Sequence, residues 1–175
     1  MLNIFFENVG KMGPIILLIS SSYLLWNKSN LLFYYIIGLF CNSILNLVLK
    51  GIIQQPRPCE DLTLFNLAIK NGRRFVFKDG VVPHDIFGMP SGHAESCVFS
   101  TIYIYLSLKN IKIAGFYLII SGLTMTQRVV YNQHTVLQVI VGAIIGALFG
   151  YFVFYLAQQK LKGKIREKCD DFAPI

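Results

Sequence analysis

Five apolar stretches, at about 12–26, 31–53, 91–108, 111–128 and 135–157, constrain this chain more than any other feature. Several of them approach the roughly 20 apolar residues that an α-helix needs to cross a bilayer. The spacing therefore predicts an all-α, integral-membrane helical bundle of about five transmembrane helices in one domain. Composition agrees: 54% of the 175 residues are hydrophobic and 14% charged, which argues against a water-soluble globule. The first stretch is short and begins at Gly13-Pro14, so it is expected to tilt little or to borrow length from the residues before it. A signal peptide is the competing reading of this end. It fits poorly, because Glu7 precedes the apolar run, Lys11 abuts it and no small-residue cleavage site follows.

The net charge of +7 is concentrated where a membrane protein carries it. Lys160, Lys162, Lys164, Arg166 and Lys168 crowd the C-terminal end, and Lys28, Lys109 and Lys112 occupy the two short connections on the same side. By the positive-inside rule this side is cytoplasmic. Residues 1–158 then form the membrane domain and 159–175 a basic cytoplasmic tail. The N-terminus and the long 54–90 connection lie on the other side; that connection also carries Arg57, Lys70, Arg73, Arg74 and Lys78, part of whose charge the candidate site accounts for. A nucleic-acid partner is not expected. Cys41 and Cys97 fall within spans, Cys59 in the long connection and Cys169 in the tail, so neither a disulfide framework nor a zinc spacing is expected. No cofactor is called for.

The long connection carries Leu62, Phe65 and Ile69 at helical spacing, then the alternation Arg74-Phe75-Val76-Phe77-Lys78. An interfacial helix followed by an extended turn ending at Asp79-Gly80 is expected, either as a lid or as a surface loop dipping into lipid. Asn42, Asn46 and Lys50 line one face of the second span, while His93, Ser96 and Ser100 mark the third. Such stripes should face other helices or water. Gly142, Gly146 and Gly150 form a small-xxx-small ladder that permits close helix approach.

Three polar islands interrupt the apolar pattern: Lys50, six residues, then Arg57-Pro58; Pro90-Ser91-Gly92-His93; and Arg128, five residues, then His134. With five spans, all three fall on one face of the membrane. Singly, each has an ordinary explanation. A basic residue at a span end is usually a snorkelling anchor, and Pro-Ser-Gly before a helix is a common cap. Together they supply three fixed cations, a helix start with a hydroxyl, and two imidazoles. That set suits phosphoryl transfer, where catalysis comes mainly from positioning and positive charge around the equatorial oxygens. One histidine can attack phosphorus while the other protonates the departing oxygen and later activates water.

In order and spacing these islands resemble the three-part signature of the type 2 phosphatidic acid phosphatase superfamily, over residues 31 to 157. The resemblance implies a helical bundle, metal-independent hydrolysis and a phosphohistidine intermediate. By motif, His134 would be the nucleophile and His93 the general acid. Lys50, Arg57, Ser91, Gly92 and Arg128 would bind phosphate. The chain departs from the pattern at Gln127, where the family usually has Ser, and at Gln138, where it usually has Asp. Gln138 lies one helical turn after His134 and can accept its Nδ1–H, fixing the ring without adding charge; a Glu there should be tolerated. The run His134-Thr135 followed by Gln138-Val139, with Gly88-Met89 before the second motif, is similar to the dolichyl diphosphate phosphatase branch. Five helices, against the six common in the superfamily, leave one flank of the bundle open to a homodimer.

The expected activity is that of a metal-independent lipid phosphatase acting on a polyprenyl (dolichyl-type) diphosphate, with its site on the lumenal or extracytoplasmic face of the endoplasmic reticulum or plasma membrane. A phosphatidate-type monoester phosphatase and a non-catalytic binder of anionic lipid are the alternatives. Glu95, beside His93, is read either as a partner of a site residue or as a carboxylate facing water, and His84-Asp85 as a weaker candidate pair.

Overall fold

The apolar stretches fold as five long helices, joined on one side by a loop with its own helix and hairpin. The computed structural model describes residues 2–78 and 82–162. The elements run α1 (Leu2–Leu24), α2 (Ser29–Ile53), α3 (Leu62–Lys70), β1 (Phe75–Lys78), β2 (Val82–Asp85), α4 (Gly92–Leu108), α5 (Ile111–Val130) and α6 (Val136–Lys162). The first span does borrow length: α1 starts ten residues before Met12 and runs through Pro14. The basic tail expected from 159 lies, from residue 163 onward, outside the described residues, as does the Asp79-Gly80 turn.

By length and composition, three of the described helices can cross a bilayer, at Ser29–Ile53, Ile111–Val130 and Val136–Gln159. Of the other two long helices, α4 has only 17 residues, and α1 carries Glu7 and Lys11 in its first half. α4 sits at the centre, packed on α1, α2, α5 and α6, so its polar groups meet protein. Tyr35, Phe99, Tyr103 and Tyr117 fill the core beside Leu17 and Leu25. Each buried phenol has a partner, as burial of a hydroxyl requires. Tyr35 Oη pairs with Ser100 Oγ at 2.9 Å, Tyr103 Oη donates to the Leu31 carbonyl at 2.7 Å, and Tyr117 Oη meets Ser20 and Ser21 Oγ, both at 2.9 Å. The outer surfaces carry exposed apolar residues such as Ile19, Phe33, Phe40, Leu118 and Leu148, as lipid contact demands.

The glycine ladder brings α6 against α4. A Cβ at Gly142 would lie 2.5 Å from the Ser91 carbonyl oxygen, and one at Gly146 would run into that of Glu95. This approach sets the start of α4 beside the start of α6, where the second and third islands lie. Gly146→Val should therefore lower the thermal unfolding midpoint in detergent, with an overpacking cost of about 1–3 kcal/mol. An unchanged midpoint would show that the helices can separate freely.

In the long connection, Asp61 caps α3, its Oδ1 accepting from the Thr63 and Leu64 amides at 2.7 and 3.0 Å. Of the predicted stripe, Phe65 is buried against Ile86 and Phe87, but Leu62 and Ile69 are exposed. The helix rests on Phe65, with Ala68 packed beside it. The expected extended turn is the first strand of this antiparallel hairpin, with Phe75 opposite Asp85 and Val76 opposite His84. The second strand gave no sequence signal, since Pro83-His84-Asp85 reads as a turn.

Candidate active site

The three islands meet at one end of the bundle. Lys50, buried in the last turn of α2, donates to Asp85 Oδ2 at 3.3 Å. Arg57 follows in extended chain, and its Nε donates to the Asp85 backbone carbonyl at 2.9 Å. Arg74 forks onto the same carboxylate, Nε to Oδ1 at 3.2 Å and Nη2 to Oδ2 at 3.1 Å. Burial would raise the Asp85 pKa, but the Arg74 fork and the Lys50 cation hold it below the usual carboxylate range. Asp85 thus gathers three basic side chains at the rim of the site.

His93 and Ser91 stand at the start of α4. Arg128 Nη2, from the last turn of α5, lies 3.0 Å from His93 Nε2. A guanidinium has no acceptor, so it donates and this nitrogen carries no proton. Ser91 is the N-cap of α4, yet its side chain makes no capping bond. Ser91 Oγ and Arg128 Nε are two of the eight buried side-chain atoms that lack a hydrogen-bond partner among the described residues. Buried polar atoms are normally paired. Two such atoms, with helix-start amides beside them, fit an anion.

His134 is buried just before α6, and its orientation follows from the groups around Gln138. The Gln138 Nε2 donates to the Pro56 carbonyl at 2.9 Å and to Gln55 Oε1 at 3.1 Å. Its Oε1 accepts from the Thr135 amide at 3.2 Å. A proline carbonyl can only accept and a backbone amide can only donate, so the side-chain amide has one orientation. Its oxygen lies 3.2 Å from His134 Nδ1, which must therefore carry the proton, leaving Nε2 as the free base. Burial first, and then the Arg57 cation, push the His134 pKa down to about 3, partly offset by the Gln138 bond. Far below its ordinary value, this imidazole is neutral at pH 7 and its lone pair is available. The Gln138 backbone carbonyl accepts from the Ser91 amide at 3.0 Å, joining the start of α4 to the start of α6.

All eight residues read from the sequence come to this end of the bundle: Lys50, Arg57, Ser91, Gly92, His93, Arg128, His134 and Gln138. Arg74 and Gln55 join them with no motif to announce them, and Asp85 enters as the partner of the cations rather than as half of a pair with His84. His84 and Asp85 do not form a pair: His84 Nε2 meets Glu60 Oε1 at 2.8 Å, while Asp85 serves the cations. Glu95 does not face water. It is fully buried, with Oε2 accepting from Asn46 Nδ2 at 2.6 Å. The departure at Gln127 is a packing feature, since a Cβ on Gly10 of α1 would run into its side chain.

Comparisons with known proteins bear on the family and the fold. A family described as PAP2 superfamily matches residues 29–162. The chain is 33% identical over 141 residues to a dolichyldiphosphatase of Saccharomyces cerevisiae, covering 74% of this chain and 51% of that protein. It is 33% identical over 145 residues to the chloroplastic lipid phosphate phosphatase epsilon 1 of Arabidopsis thaliana, covering 78% and 42%. The chain thus spans about half the length of the curated relatives it matches or less. Among solved structures, a transmembrane PAP2-type phosphatidylglycerolphosphate phosphatase from Bacillus subtilis shares the fold, with a TM-score of 0.63 at 19% identity over 94% of this chain and 80% of that one.

Proposed function

The chain belongs to the PAP2 superfamily, and from that premise we propose that it is a membrane lipid phosphatase that hydrolyses a polyprenyl diphosphate of the dolichyl type through a phosphohistidine on His134. One observation carries the reading: hydrogen bonds from the third motif to the first fix His134 with Nδ1 protonated and Nε2 free. The terminal phosphate binds to Lys50, Arg57 and Arg128, with Ser91 Oγ and the α4 start completing the cradle. Arg128 exchanges His93 for a phosphate oxygen, which opens His93 Nε2 to a proton. His134 Nε2 attacks phosphorus, the bond to the bridging oxygen breaks, and His93 gives its proton to the departing lipid phosphate. His93 then takes a proton from water, the hydroxide attacks the phosphohistidine, and phosphate leaves with His134 restored. The fixed cations carry the charge that develops on the equatorial oxygens.

A diphosphate substrate is supported by the similarity to the yeast dolichyldiphosphatase and by the His134-to-Val139 run. Lys28 and Lys109 lie in the connections at the far end of the bundle and Lys112 in the first turn of α5 beside them, which supports an extracytoplasmic site in the endoplasmic reticulum or plasma membrane. The test is phosphate release by detergent-purified protein across lipid diphosphates and monoesters. Dolichyl diphosphate should be hydrolysed faster than phosphatidate, and the rate should survive EDTA. Complete loss in EDTA that magnesium restores, or preference for phosphatidate, would contradict the reading.

A further inference from the structure

A cleft of about 450 Å³ runs between α1, α2 and the start of α4, and it carries a cation that lies outside all three motifs. His93 and Gly92 line it together with the apolar surface of Pro14, Ile15 and Leu47, and Lys11 stands among them. The backbone of Lys11 also engages the His93 ring. We propose that Lys11 binds the lipid-bearing phosphate, the one that leaves, and so selects diphosphates over monoesters. This inference rests on the phosphatase reading above.

The reasoning follows the leaving group. In an in-line displacement the departing oxygen emerges opposite the attacking His134 and next to the acid that protonates it. His93 is that acid, and it faces the cleft, so the leaving group occupies the cleft. When a monoester reacts, the leaving group is an alcohol, and one proton from His93 completes its departure. When a diphosphate reacts, a lipid phosphate departs, carrying its own negative charge beyond the proton it receives. Lys50, Arg57 and Arg128 are gathered around the phosphoryl group being transferred. Lys11 stands on the leaving side, where a compact ammonium can meet the second phosphate. The apolar lining beyond it suits the first units of the chain.

In this structure Lys11 is paired with Glu7 one turn earlier, at 2.5 Å, and both side chains are substantially exposed. Such a pair holds weakly, so the ammonium can exchange a carboxylate for a phosphate at little cost. Lys11 also precedes the residues that match the family, 29–162, so this contact is a feature of the chain's own first helix.

The experiment compares affinity for farnesyl diphosphate and farnesyl phosphate in detergent, using protein that carries His134→Ala so that neither ligand is consumed. The diphosphate should bind more tightly, and Lys11→Gln should reduce that preference roughly tenfold, as expected for loss of one charge-assisted contact. Lys11→Arg should keep it. A preference unchanged in Lys11→Gln would overturn the proposal while leaving the phosphatase reading intact. Failure of the parent protein to bind either ligand would overturn both.

Discussion

Alanine in place of His134 should reduce lipid-phosphate hydrolysis by at least about a thousandfold, the scale expected when a covalent nucleophile is removed. The loss should fall on kcat, because the phosphate cradle of Lys50, Arg57, Ser91 and Arg128 remains. The variant should also fold. Gln138 Oε1, which loses the imidazole as donor, still accepts from the Thr135 amide. The removed ring is neutral in the resting protein, since burial and Arg57 hold its pKa near 3. No buried charge is therefore left without a partner, which is the costly outcome of most such truncations. Phosphate release and the unfolding midpoint should be measured on the same preparation. A normal midpoint with a normal rate would remove His134 from the chemistry.

The second large effect is expected at Gln138, where both halves of the amide are in use. Gln138→Leu removes the acceptor that fixes His134 Nδ1 and the donor that holds Pro56 and Gln55. The ring can then adopt the other tautomer, and the extended segment leading to Arg57 loses its anchor. A fall of up to about ten-thousandfold in kcat is expected, the scale seen when the residue orienting a catalytic histidine is changed. Gln138→Glu, which spacing alone suggested would be tolerated, should also lose activity. It would set a carboxylate oxygen against the Pro56 carbonyl and the Gln55 side-chain oxygen, where the structure has a donor. A Glu variant with parental rate would mean that the Gln55–Pro56 contact carries no function.

What could be read from the sequence follows from the range of the physics involved. The five helices were legible because apolar length is a local property, and the three islands because each is a short run at a span end. Their convergence followed from counting spans. The partners of those residues were not legible. Arg74 and Asp85 meet Lys50 across a strand pairing that brings Phe75 opposite Asp85, and the second strand is disguised by Pro83. Gln55 reaches Gln138 across 83 positions, with no motif to mark it. Gln127 stood out only as a departure; its reason lies in Gly10 on another helix, a match of sizes that spacing cannot express. Glu95 was open to two readings, a partner of a site residue or a carboxylate facing water, because α4 begins at the membrane edge; the helices around it bury it fully.

The central claim is a covalent phosphoryl group on His134 Nε2. Rapid mixing of purified protein with a lipid diphosphate labelled in its terminal phosphate, followed by alkaline quenching, should yield labelled protein. The label should be stable to base and labile to acid, and peptide mass spectrometry should place it on His134. It should be absent from His134→Ala. Base-stable label on His93 instead, or turnover of wild-type protein with no labelled protein at any quench time, would contradict the account.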